Sequence, residues 1–265
     1  MRYFLELAYN GSNFHGWQIQ PNAPSVQENI EFALGKLLGS HTPITGAGRT
    51  DTGVHARRMF AHFDTLNPIS DPKKFRMSLN NMVGKDIFII NLHEVAEDSH
   101  ARFDAIERTY KYFITFKKNP FLYPLCWKAT SHLDIQLMNR ASEILLSTED
   151  FTSFAKLHSD AKTNICRVKE AQWDLIRNDV EASEFLGNLN DGIVFTISAD
   201  RFLRNMVRAI VGTLIDVGRG KMSLLQFQEI INKKNRCAAG TSMPPEALFL
   251  WSIKYPYLRE TNLIS

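Results

Sequence analysis

The order in which strand-like and helix-like segments follow one another is the feature that most constrains the fold of this chain. Alternating apolar residues predict strands, and apolar residues at helical spacing predict helices. The predicted strands cover 2–9, 86–95, 109–116, 192–199 and 248–255, and the predicted helices cover 23–39, 133–146, 201–218 and 223–232. The two types are mixed without the regular strand–helix–strand alternation of a doubly wound parallel sheet. The order therefore predicts an α+β fold with a largely antiparallel sheet.

The length and composition are those of a globular chain that can bury a sizeable core, since 44% of its 265 residues are hydrophobic. Apolar runs such as DIFIINL at 86–92 are far shorter than the roughly 20 residues that a membrane-spanning helix needs. The N-terminal segment lacks the pattern of a signal peptide. We therefore expect a cytoplasmic protein without a membrane span.

The cysteine and histidine spacings bear on metal binding. Cys126, Cys166 and Cys237 are far apart and form no CxxC pair. The histidines show neither the HxxxH nor the HExxH spacing that places two ligands on one face of a helix. Neither a disulfide framework nor a metal site is therefore predicted.

The charge is weakly basic, with 31 Lys and Arg against 28 Asp and Glu and a net charge of +3. This balance is too mild to identify a nucleic-acid-binding protein, so the clustering of the charges matters more. Basic clusters lie at 56–60, 71–76, 99–111, 200–208 and 232–236, and all but the last include an aromatic residue. One such cluster is typical of a solvated face, whereas several beside aromatic residues favour an anionic partner.

The stretch GAGRTDTGVHA, residues 46–56, places three glycines around one aspartate, Asp51. It lacks the Lys and Ser or Thr that complete a phosphate-binding P-loop, and Asp51 occupies a glycine position of the dinucleotide-binding GxGxxG pattern. Two interpretations stay open. Asp51 or Thr52 caps a short helix that begins near Val54, or the glycines let a ligand or a second chain approach the carboxylate.

Seven stretches, in order over nearly the whole chain, carry a family resemblance. They are YNGSNFHGWQIQ (9–20), SVQENIEFAL (25–34), GAGRTDTGVHA (46–56), SHARFDAIERTYKYFI (99–114), DFTSFAK (150–156), FLRNMVRAIVGTLIDVG (202–218) and PPEALFLWSIKYP (244–256). Together they resemble the tRNA pseudouridine synthase A family, and GRTD followed by GVH is the most specific among them. The family needs no cofactor and works as a homodimer that binds tRNA, so the resemblance implies tRNA and a second copy of the chain as partners.

The resemblance also implies the pseudouridine synthase fold, in which two α+β subdomains share a central, largely antiparallel sheet with a cleft between them. Residues 1–104 are expected to carry the aspartate loop, and residues 105–265 a tyrosine strand and an arginine helix. The implied reaction converts uridine to pseudouridine at positions 38, 39 and 40 in the anticodon arm of tRNA. Two alternatives stay open: a related synthase with another uridine target, and a non-catalytic tRNA-binding chaperone.

The resemblance implies catalytic roles for Asp51, Tyr110 and Arg208. A carboxylate can serve as nucleophile or as base, so Asp51 suits either addition to the ribose or abstraction of a neighbouring sugar proton. Tyr110 and Tyr112 lie on one face of a strand, where either could be a core residue. The R-x-Y motif of the family selects Tyr110 as the ring that stacks on the base and leaves Tyr112 as packing. The same resemblance implies a salt bridge between Arg208 and Asp51.

The remaining predicted contacts concern RNA. A uridine in a stem must leave its stack before a side chain can reach it, at a cost of roughly a few kcal/mol. The resemblance implies that Arg49 helps to extrude the base and that Leu248 forms an apolar wall of the pocket. It assigns contacts with the RNA backbone to His100, Arg102, Lys162 and Arg167. Spacing on the predicted helix 201–218 places Arg201, Arg204 and Arg208 on one cationic stripe.

Overall fold

The computed structural model describes residues 1–156, 162–187 and 192–258. In these residues the strands and α-helices are, in chain order, β1 (Arg2–Tyr9), α1 (Val26–Leu38), β2 (Thr45–Gly46), β3 (His55–Asp64), α2 (Pro72–Met82), β4 (Ile87–Val95), β5 (Glu107–Thr115), β6 (Trp127–Lys128), α3 (Ile135–Leu146), β7 (Val168–Leu175), α4 (Val180–Leu186), β8 (Gly192–Ala199), α5 (Met206–Gly218), α6 (Leu224–Lys233) and β9 (Leu248–Lys254). The chain folds into two compact units. One contains Met1–Glu107 and the chain from Leu250 onward, and the other contains Arg108–Phe249.

The first unit is built on strands in the order β4-β1-β3-β9, with β2 beside β3. Strand β1 pairs antiparallel with both β3 and β4. Strand β9 lies beside β3, and its residues from Leu250 onward belong to this unit, whereas residues 105–265 were expected to form one subdomain. Helix α1 begins where the Ser25 side chain accepts a hydrogen bond from the Glu28 amide, and it ends at Gly39 with a φ of 73°.

The second unit is built on β5, β8 and β7, which pair antiparallel in that order. The short β6 pairs parallel with the end of β5. Every residue of β8 is buried, as expected for a strand with a partner on each side. Helix α3 packs on β7 and on α5. The prediction of an α+β fold with a largely antiparallel sheet is confirmed.

The predicted helix 201–218 begins five residues too early. Helix α5 starts at Met206, because Asn205 has a left-handed φ of 65° that a helix interior does not contain. Arg201 and Arg204 therefore lie outside the helix, and the predicted cationic stripe along one helical face is wrong.

The region after the glycine loop also differs from expectation. The Val54 amide donates to the Asp51 carbonyl in a turn, at 3.1 Å. Strand β3 begins at the next residue, His55. The alternative in which Asp51 or Thr52 caps a helix near Val54 is therefore wrong.

Within the described residues, no helix combines the length and the apolar character that crossing a membrane requires.

Candidate active site

Asp51 lies in the first unit, in the connection between β2 and β3, and its side chain is half-buried. The turn that follows it is closed by the hydrogen bond from the Val54 amide to the Asp51 carbonyl, at 3.1 Å. Gly53 completes this turn with a φ of 79°, which favours glycine because other side chains are strained there. The backbone around Asp51 is thus held by a tight turn at the start of a long strand.

A second segment, residues 9–17, holds the same loop from the other side. The hydroxyls of Tyr9 and Thr50 are hydrogen bonded at 2.8 Å in a buried position. The Trp17 amide donates to the Thr50 carbonyl at 3.3 Å, and the Gly53 amide donates to the Phe14 carbonyl at 3.3 Å. The residues on both sides of Asp51 are therefore tied to a segment more than thirty positions away in sequence.

The glycines serve different purposes. A Cβ on Gly46 would lie 2.5 Å from the Trp17 ring, and one on Gly16 would lie 2.4 Å from the Thr50 carbonyl oxygen. These two glycines permit close packing beneath the loop. A Cβ on Gly48 would meet nothing within 4 Å. Gly48 thus faces open space at the surface of the loop.

The packing predicts that Gly16→Ala disturbs the loop while Gly48→Ala does not. Gly16 has a φ of 95° and faces the Thr50 carbonyl, so alanine should cost about 1–3 kcal/mol and shift the backbone next to Asp51. We expect a melting temperature lower by several degrees together with at least about tenfold lower activity for Gly16→Ala. Gly48→Ala should keep the wild-type melting temperature. Equal melting temperatures for the two variants, measured by calorimetry, would contradict this account of the loop.

Tyr110 and Tyr112 differ in burial although they lie on one face of β5. Tyr112 is 0% exposed, and its hydroxyl donates to the Pro244 carbonyl at 3.1 Å. Burial raises the pKa of this hydroxyl, so it remains a donor. Tyr110 is half-buried, and its ring meets Phe202 edge-on with the centroids 5.0 Å apart. A ring that stacks on a base needs such partial exposure.

Arg208 lies in the first turn of α5, where a backbone carbonyl fixes its guanidinium. Its Nε donates to the Met243 carbonyl at 2.6 Å. The Met243 amide donates back to the Arg208 carbonyl at 3.0 Å. The side chain of Asn205 donates to the Ser242 hydroxyl at 2.6 Å. With the bond from Tyr112 to Pro244, residues 242–244 are tied to β5 and to the start of α5.

The same segment leads into β9 and Leu248. Leu248 is 4% exposed, as an apolar wall residue would be. Gly212 allows this part of the chain to lie against α5, because a Cβ there would lie 1.9 Å from the Thr241 carbonyl oxygen. The Gly240 amide donates to the Thr213 hydroxyl at 2.9 Å. Tyr112, Arg208 and the segment that precedes Leu248 are thus connected by hydrogen bonds and close packing within the second unit.

Comparison with known proteins identifies the family. A family model described as tRNA pseudouridine synthase matches residues 141–256. The tRNA pseudouridine synthase A of Parabacteroides distasonis is 51% identical over 255 residues, which cover 96% of each chain. That of Bacteroides fragilis is 50% identical with the same coverage. That of Caldicellulosiruptor bescii is 38% identical over 95% of this chain and 98% of its own. The chain belongs to the tRNA pseudouridine synthase A family.

Two residues that the family resemblance assigns to RNA contact, His100 and Arg102, lie together in the first unit. The Nδ1 of His100 accepts from the amides of Arg102 and Phe103, at 3.1 and 3.3 Å. Burial also lowers the pKa of His100. The ring is therefore neutral near pH 7 with its proton assigned to Nε2, and it would meet a phosphate as a hydrogen-bond donor. Arg102 is exposed, and its guanidinium lies 5.7 Å from the centroid of the Phe103 ring.

The other residues assigned to RNA contact are also exposed. Arg49 lies in the loop with Asp51, and Lys162 and Arg167 lie in the second unit. The Arg167 amide donates to the Asp200 carboxylate at 2.8 Å, and the Arg108 guanidinium donates to the Asp200 carbonyl at 2.7 Å. Asp200 therefore brings Arg167 to the end of β5 that carries the R-x-Y motif of the family.

Sequence analysis of the family motifs missed two contributors to this arrangement. Phe202 falls within the predicted helix 201–218, but it lies before α5 and contacts Tyr110. The carbonyl of Met243 could not be found from the sequence, because every residue has a backbone carbonyl whatever its side chain. A signal for Phe202 did exist, since Asn205 is among the non-glycine residues that most readily adopt a left-handed conformation.

Across residues 1–156, 162–187 and 192–258, the histidine, cysteine and acidic side chains form no group of three or more that could hold a metal ion.

Proposed function

We propose that this protein is a tRNA pseudouridine synthase that converts uridine to pseudouridine at positions 38, 39 and 40 of the anticodon arm. The observation that carries the proposal is the half-buried carboxylate of Asp51, held on a turn beside open space at Gly48, in a chain of this family. A protein that only binds RNA has no need for a carboxylate on such a firmly held backbone. The resemblance extends the proposal to a homodimer that acts in the cytoplasm.

The reaction consumes no co-reactant, because pseudouridine is an isomer of uridine. The bond between the base nitrogen N1 and the ribose C1′ breaks, a bond between the base C5 and C1′ forms, and the C5 proton leaves while N1 gains one. Asp51 acts as nucleophile at the ribose or as base on a neighbouring sugar proton, and both roles need an ionised carboxylate. Arg208 is proposed to stabilise that ionised form.

Tyr110 is proposed to stack on the flipped base and to assist removal of the C5 proton through its hydroxyl. Its ring is half-buried, so stacking would complete its burial against the base. Tyr112 keeps a supporting role, because its hydroxyl is already bonded to the Pro244 carbonyl. Leu248 is proposed to line the pocket.

The proposal is tested by mapping pseudouridines in tRNA from cells with and without the gene. We expect positions 38, 39 and 40 to lose pseudouridine on deletion and to regain it with the wild-type gene but not with Asp51→Ala. Loss at another uridine instead would identify a related synthase with a different target. Unchanged pseudouridines together with altered tRNA folding would identify a chaperone.

The exposed cations should separate into two kinds of RNA contact. Lys162→Ala and Arg167→Ala remove proposed phosphate contacts. Each should therefore weaken the binding of all tRNAs to a similar extent and flatten the slope of log affinity against log salt concentration by about 0.7–0.9. Arg49→Ala removes a group proposed to act when the uridine leaves its stack, so it should slow single turnover more than it weakens binding. Salt-dependent binding and single-turnover rates distinguish the two. An Arg49→Ala variant with a normal rate at saturating tRNA would make Arg49 another phosphate contact.

A further inference from the structure

One exposed loop of the second unit combines positive charge with solvent-facing aromatic rings. From Phe116 to Lys128 the sequence has three Lys residues and neither Asp nor Glu. We call residues 116–128 the basic–aromatic loop. Its exposed cations are Lys117, Lys118 and Lys128. Its most exposed rings are Phe121 and Tyr123, at 91% and 74% exposure.

Hydrogen bonds shape the backbone of the basic–aromatic loop. The Phe121 amide donates to the Asn119 side chain at 3.0 Å. The Leu122 amide donates to the Asn119 carbonyl at 3.2 Å, and the Cys126 amide donates to the Leu122 carbonyl at 3.1 Å. At the base of the loop, the chain returns beside the end of β5 through the pairing of Ile114 with Trp127. The two aromatic rings are thus held in solvent by a turn structure, an arrangement that suits contact with a partner.

The loop is far from the residue proposed to stack on uridine. Tyr110 and Thr115 are five residues apart on β5, which corresponds to about 17 Å at the rise of a strand. A uridine at Tyr110 therefore cannot reach the loop, whereas another part of the same tRNA can.

We propose that the basic–aromatic loop is a second tRNA-binding surface, in which the lysines contact phosphates and Phe121 and Tyr123 stack on unpaired bases. This inference rests on the proposed function, which makes tRNA the substrate. A groove or loop that combines cations with exposed aromatic rings is the usual means of binding single-stranded nucleic acid, because every base has a face that can stack.

Charge favours RNA over a second copy of the chain on this surface. A two-fold interface centred on the loop would bring the same patch against itself. The exposed Lys118 and Lys128 of each copy would then face the same positively charged patch, and the loop contains no acidic residue. Arg219 adds a further positive charge beside the loop, with its guanidinium 5.7 Å from the centroid of the Trp127 ring. The phosphates of RNA carry the opposite charge and are attracted to this surface.

The test uses the full-length protein and a tRNA transcript that carries uridine at the target positions. Two double variants are compared with wild type: Phe121→Ala with Tyr123→Ala, and Lys117→Ala with Lys118→Ala. Leu225→Ala and Lys85→Ala serve as controls, because both positions are exposed outside the loop. Binding is measured at several salt concentrations, steady-state kinetics give kcat and KM, and light scattering gives the mass of each variant.

We expect the aromatic double variant to weaken tRNA binding about tenfold, with the loss in kcat/KM carried by KM. The lysine double variant should also flatten the salt slope by about 1.4–1.8. Wild-type affinity and salt slope in both double variants would overturn the proposal. A lower mass for either double variant would assign the loop to self-association instead. A wild-type protein that binds tRNA but forms no pseudouridine would defeat the proposed function, and the affinity comparison would still decide the role of the loop.

Discussion

Replacement of Asp51 by alanine or asparagine is expected to abolish pseudouridine formation while tRNA binding stays close to wild type. The carboxylate is proposed to carry the chemistry, and a positioned base or nucleophile of this kind contributes about 10²–10⁴-fold or more. Removal of a negative charge should not weaken contact with phosphates. Asparagine keeps the size of the side chain, and the loop is held by backbone bonds to Phe14 and Trp17, so folding should be unaffected.

Tritium release from tRNA labelled at uridine C5 measures the reaction, and filter binding measures affinity. Asp98→Asn is a suitable control, because Asp98 is exposed in the same unit and has no proposed role. Substantial turnover by Asp51→Ala would remove Asp51 from the catalytic role. Loss of tRNA binding in proportion to activity would make Asp51 a binding residue instead.

The second large effect is expected for Tyr110→Phe, which keeps the ring and removes the hydroxyl. Binding should persist because the stacking surface remains, while the single-turnover rate should fall about 10²–10⁴-fold if the hydroxyl assists removal of the C5 proton. Tyr110→Ala should in addition weaken binding, because the stacking surface is lost.

Tyr112→Phe is the matched control for Tyr110→Phe. It removes a buried hydrogen bond and leaves the Pro244 carbonyl without that donor, at a cost of about 1–3 kcal/mol in the free energy of unfolding. Its effect should therefore be seen first in the melting temperature. The single-turnover rate should fall less than in Tyr110→Phe, because the lost bond to Pro244 loosens the segment that holds Arg208. Equal rate losses in Tyr110→Phe and Tyr112→Phe, at equal stability, would leave Tyr110 without a special role.

Elements with strong local signals could be predicted from the sequence. Strand β8 was predicted at its observed bounds, because its sequence GIVFTISA is rich in apolar and β-branched residues. Helix α1 was predicted to within a few residues, because Ser25 caps its start and Gly39 ends it. In both cases the information lies within the segment itself.

Strand β3 could not be predicted, because its sequence places charged side chains in the core. Arg58 is buried, and its Nε lies 2.9 Å from the carboxylate of Glu6 on β1. His93 on β4 lies 3.0 Å from the same carboxylate. A buried cation is tolerated only beside such partners, and these come from strands distant in sequence.

By itself the sequence determined the family, the mixed α+β fold and the choice of Asp51 as the central carboxylate, because motif order and local periodicity are written along the chain. Only the tertiary structure showed which contacts hold the aspartate loop and which of its glycines faces open space. It also showed how far Tyr110 and Tyr112 differ in burial. It also decided where α5 begins and which carbonyl holds Arg208. Each of these depends on a contact between segments far apart in sequence, such as Tyr9 with Thr50 and Arg208 with Met243. Such contacts exist only once the chain has folded.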